Sequence, residues 1–340
     1  MNSSRRLPAG VVALIGMFIL IIDTKTALLG ANEGIQICIK SIVPAIFPFL
    51  ILSQVINSEF CGVNIPLLKP LQKLCGIPVG GEAIFILGLL GGYPVGAQMI
   101  TNAYEQGSLN ADDARRLLGF CSNAGPAFIF GVGSFLFSSG KVLWALWGIH
   151  ILSAIFVGAI LPGKKHCYCK STKKQAINLP KAIENSTRTM SQICAWVIAF
   201  RIIITYLQRW ILWAAPNELN AMITGILELA NGCDSVKTIP SESARFILFS
   251  VFLGFGGICV AMQTVSATNI IGTGSYFPGK VLQGVISFIL ATLCSEFIYQ
   301  DNISVLRYSA IGIILLLISG KFLGNIINKK SSSNPRIRVV

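Results

Sequence analysis

Charge is scarce in this chain. Of its 340 residues only 12% are Asp, Glu, Lys or Arg, and histidine occurs twice, as His150 and His166. Neither imidazole has a plausible nucleophile near it in sequence, which argues against hydrolytic and metal-dependent catalysis. No H-E-x-x-H stretch occurs, and no pair of aspartates sits inside an apolar run; Asp112-Asp113 lies in a polar helix-start context. G-x-x-x-x-G-K-[ST] is absent as well, so nothing in the chain marks it as ATP-driven. The ten cysteines are scattered without C-x-x-C spacing. Most lie in apolar runs, where cysteine behaves as a small hydrophobe. His166-Cys167-Tyr168-Cys169 has no second ligand pair and reads as part of a solvated basic linker. No cofactor and no metal is expected, and the chain does not read as an enzyme.

Apolar residues are what the chain has in abundance: 53% of the total, with a mean hydropathy of +0.70. Soluble domains do not reach this level, so the solvent is a bilayer. Windows at 7–22, 143–161, 193–213, 281–298 and 303–323 approach the roughly 20 apolar residues that cross about 30 Å of hydrocarbon. Arg5 and Arg6 give the first window the flank of a signal peptide, but Asp23-Thr24-Lys25 follows instead of a small-residue cleavage site, so a retained span is expected. The net charge of +13 collects in two tails and one linker: Arg5 and Arg6; Lys164, Lys165, Lys170, Lys173, Lys174 and Lys181; Lys329, Lys330, Arg336 and Arg338. That is how loops held on the cytoplasmic side look. No aromatic residues alternate with the basic ones as a base-stacking platform requires, so nucleic acid is not a partner.

The basic interval 163–181 divides the chain into two apolar halves, a natural linker between repeats. At a spacing of 165 positions (256 minus 91), Gly91-Gly92-Tyr93-Pro94-Val95-Gly96-Ala97-Gln98 faces Gly256-Gly257-Ile258-Cys259-Val260-Ala261-Met262-Gln263, both reading G-G-x-x-V-x-x-Q. In each, a short apolar half-helix (82–90 or 245–255) runs into a glycine pair and a second half-helix begins with a polar residue on its first turns. Halves of about 10 to 12 residues are too short to span, so a re-entrant hairpin is expected in each half of the chain. Irregular backbone at that depth is tolerated only where protein or a wet cavity covers it. Interrupted helices would bare peptide groups at mid-membrane, a means of holding a polar solute in oil.

A second break is expected beyond the first hairpin. Asn110 is placed to cap a helix with Asp112 and Asp113 in its first turn, where the helix dipole favours anions. That helix meets Ser122-Asn123-Ala124-Gly125-Pro126, and Pro126 suits the first turn of the next. In the second half Glu228 stands in an apolar run ahead of Asn231-Gly232; an intramembrane carboxylate usually faces a cavity or a partner. Arg201 is a basic residue inside a clean span, placed either to pair with Glu228 or to act as counter-charge for an anion. Two topologies stay open. If 219–232 does not cross, the repeats are inverted; if it crosses, they are parallel.

"GLLGGYPVGAQ", "ADDARRLLGFCSNAGPAFIFG" and "FGGICVAMQ", with "GIQICIKSIVPAIFPFLILS" and "LELANG", resemble the nucleoside recognition (Gate) domain membrane family, and within it the YlbJ (SpoVV) type of sporulation integral membrane protein. The likeness runs from about residue 30 to about residue 300. It implies an all-α polytopic membrane protein with two pseudo-symmetric repeats, each with a re-entrant hairpin and broken helices, similar to concentrative nucleoside carriers. The divisions would be an N-terminal span (1–26), a first Gate-like repeat (27–162), the basic linker (163–181), a second Gate-like repeat (182–325) and a basic tail (326–340). The resemblance implies movement of dipicolinate between mother cell and forespore, in a bacterial membrane, with a site drawn from Gly91, Gly92, Tyr93, Pro94, Gly96, Gln98, Ser122, Asn123, Gly125, Pro126, Glu228, Asn231, Gly256, Gly257 and Gln263, to which Arg201 is added from its own position. Members often carry lysine where Gln98 stands and histidine where Ala261 stands. The expected partners are a small polar or anionic solute and the lipid bilayer; a nucleoside or nucleobase permease, a scaffold, a homo-oligomer and an ion coupled through Glu228 stay open.

Overall fold

The computed structural model describes residues 6–60, 65–79, 81–161 and 178–299, and its regular structure is helical. In chain order the helices are α1 (Arg6–Ile22), α2 (Thr24–Ile37), α3 (Val43–Phe60), α4 (Lys69–Cys75), α5 (Glu82–Gly91), α6 (Val95–Glu105), α7 (Ala111–Cys121), α8 (Pro126–Gly133), α9 (Gly140–Ile160), α10 (Leu179–Trp210), α11 (Asn217–Leu227), α12 (Leu229–Ser235), α13 (Glu242–Phe255), α14 (Gly257–Ala267) and α15 (Tyr276–Tyr299). Five helical runs are long and apolar enough to cross a membrane: Thr24–Ile56, Gly140–Ile160, Leu179–Trp210, Glu242–Ala267 and Tyr276–Tyr299. The chain thus has the architecture of a polytopic integral membrane protein, with hydrocarbon as the solvent for the large apolar side chains it turns outward, such as Trp144, Phe156, Ile203 and Val281. The expected window at 303–323 and nearly all of the basic linker lie outside the described residues. The first window forms α1, but at 17 residues it is shorter than the five spans.

Local rules account for most boundaries. Asn110 caps α7, accepting the Asp113 N–H at 2.8 Å, and Pro126 opens α8 in the first turn. In α9 the buried positions Val142, Leu146, Ile149, Ser153 and Val157 recur at three- and four-residue spacing, which is the inward face of a helix. Its 21 residues span about 31 Å. Between α2 and α3 the run widens into a π-turn at Cys38–Ile42, where Val43 N–H reaches back to the Cys38 carbonyl. Pro44 has no N–H to donate, so the α-helical ladder is broken at this point in any case.

Two contacts hold the frame. Gly30 and Gly34, one turn apart on α2, lie against Ile202 and Ile198 of α10, where a β-carbon would come within 2.9 Å of either backbone. Small residues four apart let membrane helices touch along their backbones. Arg201 and Glu33 flank this seam as an ion pair, with the guanidinium donating twice to one carboxylate oxygen at 2.9 and 2.6 Å. Arg201 therefore makes its ion pair with Glu33 rather than with Glu228, the partner offered by the sequence. The second contact is Arg116 of α7, 7% exposed. Its guanidinium donates to the carbonyls of Cys75, Gly76 (3.0 Å), Gly158 (3.0 Å) and Leu161 (3.3 Å). Those are the orphan carbonyls at the C-terminal ends of α4 and α9, where the helix dipoles favour a cation.

The glycine pairs equated at a spacing of 165 take different forms. Around Gly91-Gly92 the chain reverses, and α5 and α6 pack side by side as the expected hairpin. At Gly256, with φ +83°, the run is interrupted but α13 and α14 do not pack along each other. The second packed helix pair is α11 with α12, reversing at Glu228 (φ −148°, ψ 126°). The hairpin of the second half thus lies one element earlier than the glycine match implies. A glycine pair dictates a break, whereas the direction taken afterwards depends on the neighbours.

The Arg116 clamp is testable by thermal unfolding in detergent. Arg116→Met leaves four carbonyls without a donor and should cost about 3 kcal/mol or more. Arg116→Lys, a point charge in place of a fork, should recover only part of it. A wild-type melting temperature in the Met variant contradicts the clamp.

Candidate functional site

The interruptions of three segments meet around one cleft. It is lined by Gly91, Gly92 and Tyr93 from the α5–α6 turn, by Ala124, Gly125 and Ala127 from the α7–α8 break, by Glu228, Leu229 and Ala230 from the α11–α12 turn, by Val260 and Gln263 of α14, and by Ile42, Ile46, Ile193 and Val197 from the long helices. Its space is about 540 Å³ with the open mouth included, while the part that admits the centre of a water-sized sphere is about 50 Å³. Of the expected site residues, Gly91, Gly92, Tyr93, Gly125, Glu228 and Gln263 line it.

Backbone approach builds this cleft. Gly92 has φ +77°, which favours glycine, and a β-carbon on it would stand 3.0 Å from the Gly125 nitrogen. A β-carbon on Gly125 would in turn meet Gly92 N at 3.0 Å. The two breaks thus touch through bare backbone, with a cis peptide between Tyr93 and Pro94 completing the turn. The α7–α8 break is fixed by two buried side chains. Asn123 Nδ2 donates to Phe120 O at 2.7 Å, and Ala124 N–H donates to His150 Nε2 at 3.0 Å. An accepting Nε2 places the imidazole proton on Nδ1, which is buried without a partner among the described residues. His150 is thereby a positioning group for the break, a role its solitary place in an apolar helix did not announce.

Glu228 is 2% exposed and caps α12 with its own carboxylate, accepting from Ala230 N–H (3.1 Å), Asn231 N–H (2.6 Å) and Asn231 Nδ2 (2.5 Å). Asn231 serves the site through this carboxylate rather than from the cleft wall. At α8 the first-turn residues line the cleft, and no carboxylate caps that helix; its positive end faces the space.

Behind Tyr93 lies a cluster that periodicity did not reveal. Lys280 of α15 is 1% exposed. Its Nζ donates to Gln283 Oε1 (2.6 Å), Tyr93 Oη (3.2 Å) and Asn123 Oδ1 (3.3 Å) and stands 5.1 Å from the centre of the Tyr93 ring. Gln283 Nε2 also donates to Asn123 Oδ1 at 3.0 Å, and Tyr93 Oη donates to Leu253 O at 3.3 Å beside Gly256. Tyr93 and Asn123 thereby fasten both breaks to α13 and α15.

The remaining expected residues lie off the cleft wall. Gln98 turns toward α10, donating to Thr189 Oγ1 at 3.4 Å, while Gln263 donates to Cys259 Sγ at 3.5 Å. The two glutamines are thus not matching donors. Gly96 packs on the Cys121 carbonyl, and Pro94 precedes α6 as its cap residue. Ser122 is buried with its Oγ unpartnered among the described residues. Pro126 opens α8 beside the wall, and Gly256 and Gly257 form the α13–α14 break near Tyr93 and Glu228. Among the described residues no three His, Cys, Asp or Glu side chains come together as metal ligands would. Compared with protein-family models, with curated proteins and with solved structures, the chain gives no match in any of the three.

The cap at Glu228 orders a set of variants. Glu228→Ala removes the acceptor for two backbone N–H groups and should lower stability by about 1–2 kcal/mol, while Glu228→Gln keeps one accepting oxygen and should lose less. Thermal unfolding in detergent reads the order wild type, Gln, Ala; an Ala variant as stable as wild type rejects the cap.

Proposed function

We propose that this chain is a secondary or facilitated membrane carrier, not an enzyme, for a small polar or anionic solute that binds among the interrupted helices. The observation that carries this reading is the meeting of three backbone interruptions around one cleft inside an otherwise apolar helical bundle. Backbone breaks at such depth need polar company, and a solute site supplies it. The start of α8 has no side-chain cap; Pro126 lacks an N–H and the Phe128 and Ile129 N–H groups are held by Gly125 O, which leaves the Ala127 N–H and the partial positive charge of the helix end for a carboxylate. By the resemblance of its G-Y-P-x-G and N-x-G-P elements to Gate-domain proteins of the YlbJ type, the solute is dipicolinate, moved during sporulation in a bacterial membrane. Glu228 on the wall favours a second reading, a nucleoside or nucleobase permease, because a carboxylate accepts hydrogen bonds from hydroxyl and amino groups.

We also infer two repeats, in a register that differs from the glycine match. The long helix α3, the pair α5–α6, the broken helix α7–α8 and the long helix α9 are followed in the same order by α10, α11–α12, α13–α14 and α15. The spacing is 136 positions from the start of α3 to that of α10 (179 minus 43), from Gly92 to Glu228 (228 minus 92) and from the start of α9 to that of α15 (276 minus 140). The 11 residues of α11 cover only about 16 Å before the chain turns back at Glu228, which favours the inverted arrangement over the parallel one.

Uptake into proteoliposomes by the full chain decides between the solutes. Radiolabelled dipicolinate is expected to accumulate and radiolabelled nucleosides are not. Nucleoside uptake alone selects the second reading, and uptake of neither rejects the carrier. A scaffold would leave the cellular phenotype of Gln263→Ala intact.

A further inference from the structure

We infer that Lys280 is the residue that makes this cleft select carboxylates over neutral solutes of the same shape. The inference rests on the carrier reading for the identity of the cleft and adds the charge that sets its preference. Lys280 is wholly enclosed, yet all three of its hydrogen-bond partners are neutral oxygens, those of Gln283, Tyr93 and Asn123. A lone ammonium in a dry interior is costly, and hydrogen bonds to neutral groups offset only part of that cost. The intramembrane acid on the cleft wall, Glu228, is engaged with α12 and is not among its partners.

Two of the three groups that hold Lys280 belong to the cleft's own machinery. Tyr93 lines the cleft, and its ring lies against the ammonium. Asn123 belongs to the break whose next residues, Ala124 and Gly125, also line it. The cation therefore stands one aromatic ring behind the wall, on the side where the α5–α6 turn and the α7–α8 break meet. Buried protein rather than bulk solvent lies between it and that wall, so the field of its protonated form is weakly screened at the cleft and adds to that of the α8 terminus. A carboxylate entering there supplies the counter-charge that the protein withholds from Lys280; a neutral isostere supplies none. A lysine kept only to fasten the two breaks to α15 would hold them equally for either solute, and that difference is what a measurement can read.

The test uses the full chain in detergent, with pyridine-2,6-dicarboxylate and its neutral diamide as probes and ligand-induced thermal stabilisation as the readout. Wild type and Lys280→Arg should bind the dicarboxylate in preference to the diamide. Lys280→Met and Lys280→Gln should lose about tenfold or more in dicarboxylate affinity while diamide affinity stays unchanged. Lys280→Gln keeps a hydrogen-bonding group for Asn123 and Gln283, so it answers the question if the Met variant fails to fold. Equal losses for both probes, no loss for either, or a wild type stabilised by neither probe overturns the inference. Because binding is read without vesicles, charge selection that depends on Lys280 in a chain showing no uptake would refute the carrier reading and leave this one standing. Uptake with selectivity indifferent to Lys280 would do the reverse.

Discussion

Peptide groups freed by an interrupted helix need partners where there is no water to provide them, and that requirement organises this molecule. Four interruptions occur in the described residues of the bundle, at Gly92, Ser122–Gly125, Glu228 and Gly256. Three of them are met by nearby side chains. His150 accepts the Ala124 N–H, Asn123 donates to Phe120 O, Glu228 accepts two N–H groups of α12, and Tyr93 donates to the Leu253 carbonyl. A polar cluster in an apolar protein is thus the direct result of broken ladders lying close together.

The frame and the cleft divide the work between them. The α2–α10 seam at Gly30 and Gly34 and the Arg116 clamp lie outside the cleft lining and use close backbone packing and helix-end carbonyls. The interruptions at the cleft, by contrast, join short segments, none of α5, α6, α8, α11 or α12 exceeding 11 residues. Short helices gain little from their own hydrogen-bond cooperativity and depend on their neighbours for shape. Rigid long helices around short dependent ones would suit the carrier proposed above, which has to give a polar solute different surroundings on the two sides of a membrane.

Local signals were legible in the sequence and long-range ones were not. The break at Gly91–Pro94, the cap at Asn110 and the restart at Pro126 follow from backbone preferences that reside in a few adjacent residues. The path after a break does not, which is why a glycine match mistook the α13–α14 interruption for a hairpin. Arg201 and Glu33 are 168 positions apart, and no periodicity couples them. Lys280 borders an apolar window, and a lysine in sequence reads as the edge of a span. Its burial is decided by Tyr93 and Asn123, 187 and 157 positions away. The run of helix at Thr24–Ile56 was likewise hidden, since Lys25, Glu33 and Lys40 dilute its first half.

The π-turn at Cys38–Ile42 has a geometric consequence for the whole first span. Gly30, Gly34, Cys38, Ile42 and Ile46 succeed one another at intervals of four. In an unbroken α-helix such a row winds steadily around the rod, and its two ends would look in nearly opposite directions. The widened turn takes up one additional residue and rotates the remainder of the helix by about 100°, so the row stays on the inner side. The upper part of the row can then seal against α10 while Ile42 and Ile46 still floor the cleft. The irregularity acts as a phase adjustment: one helix serves two neighbours that a regular spiral could not face at once.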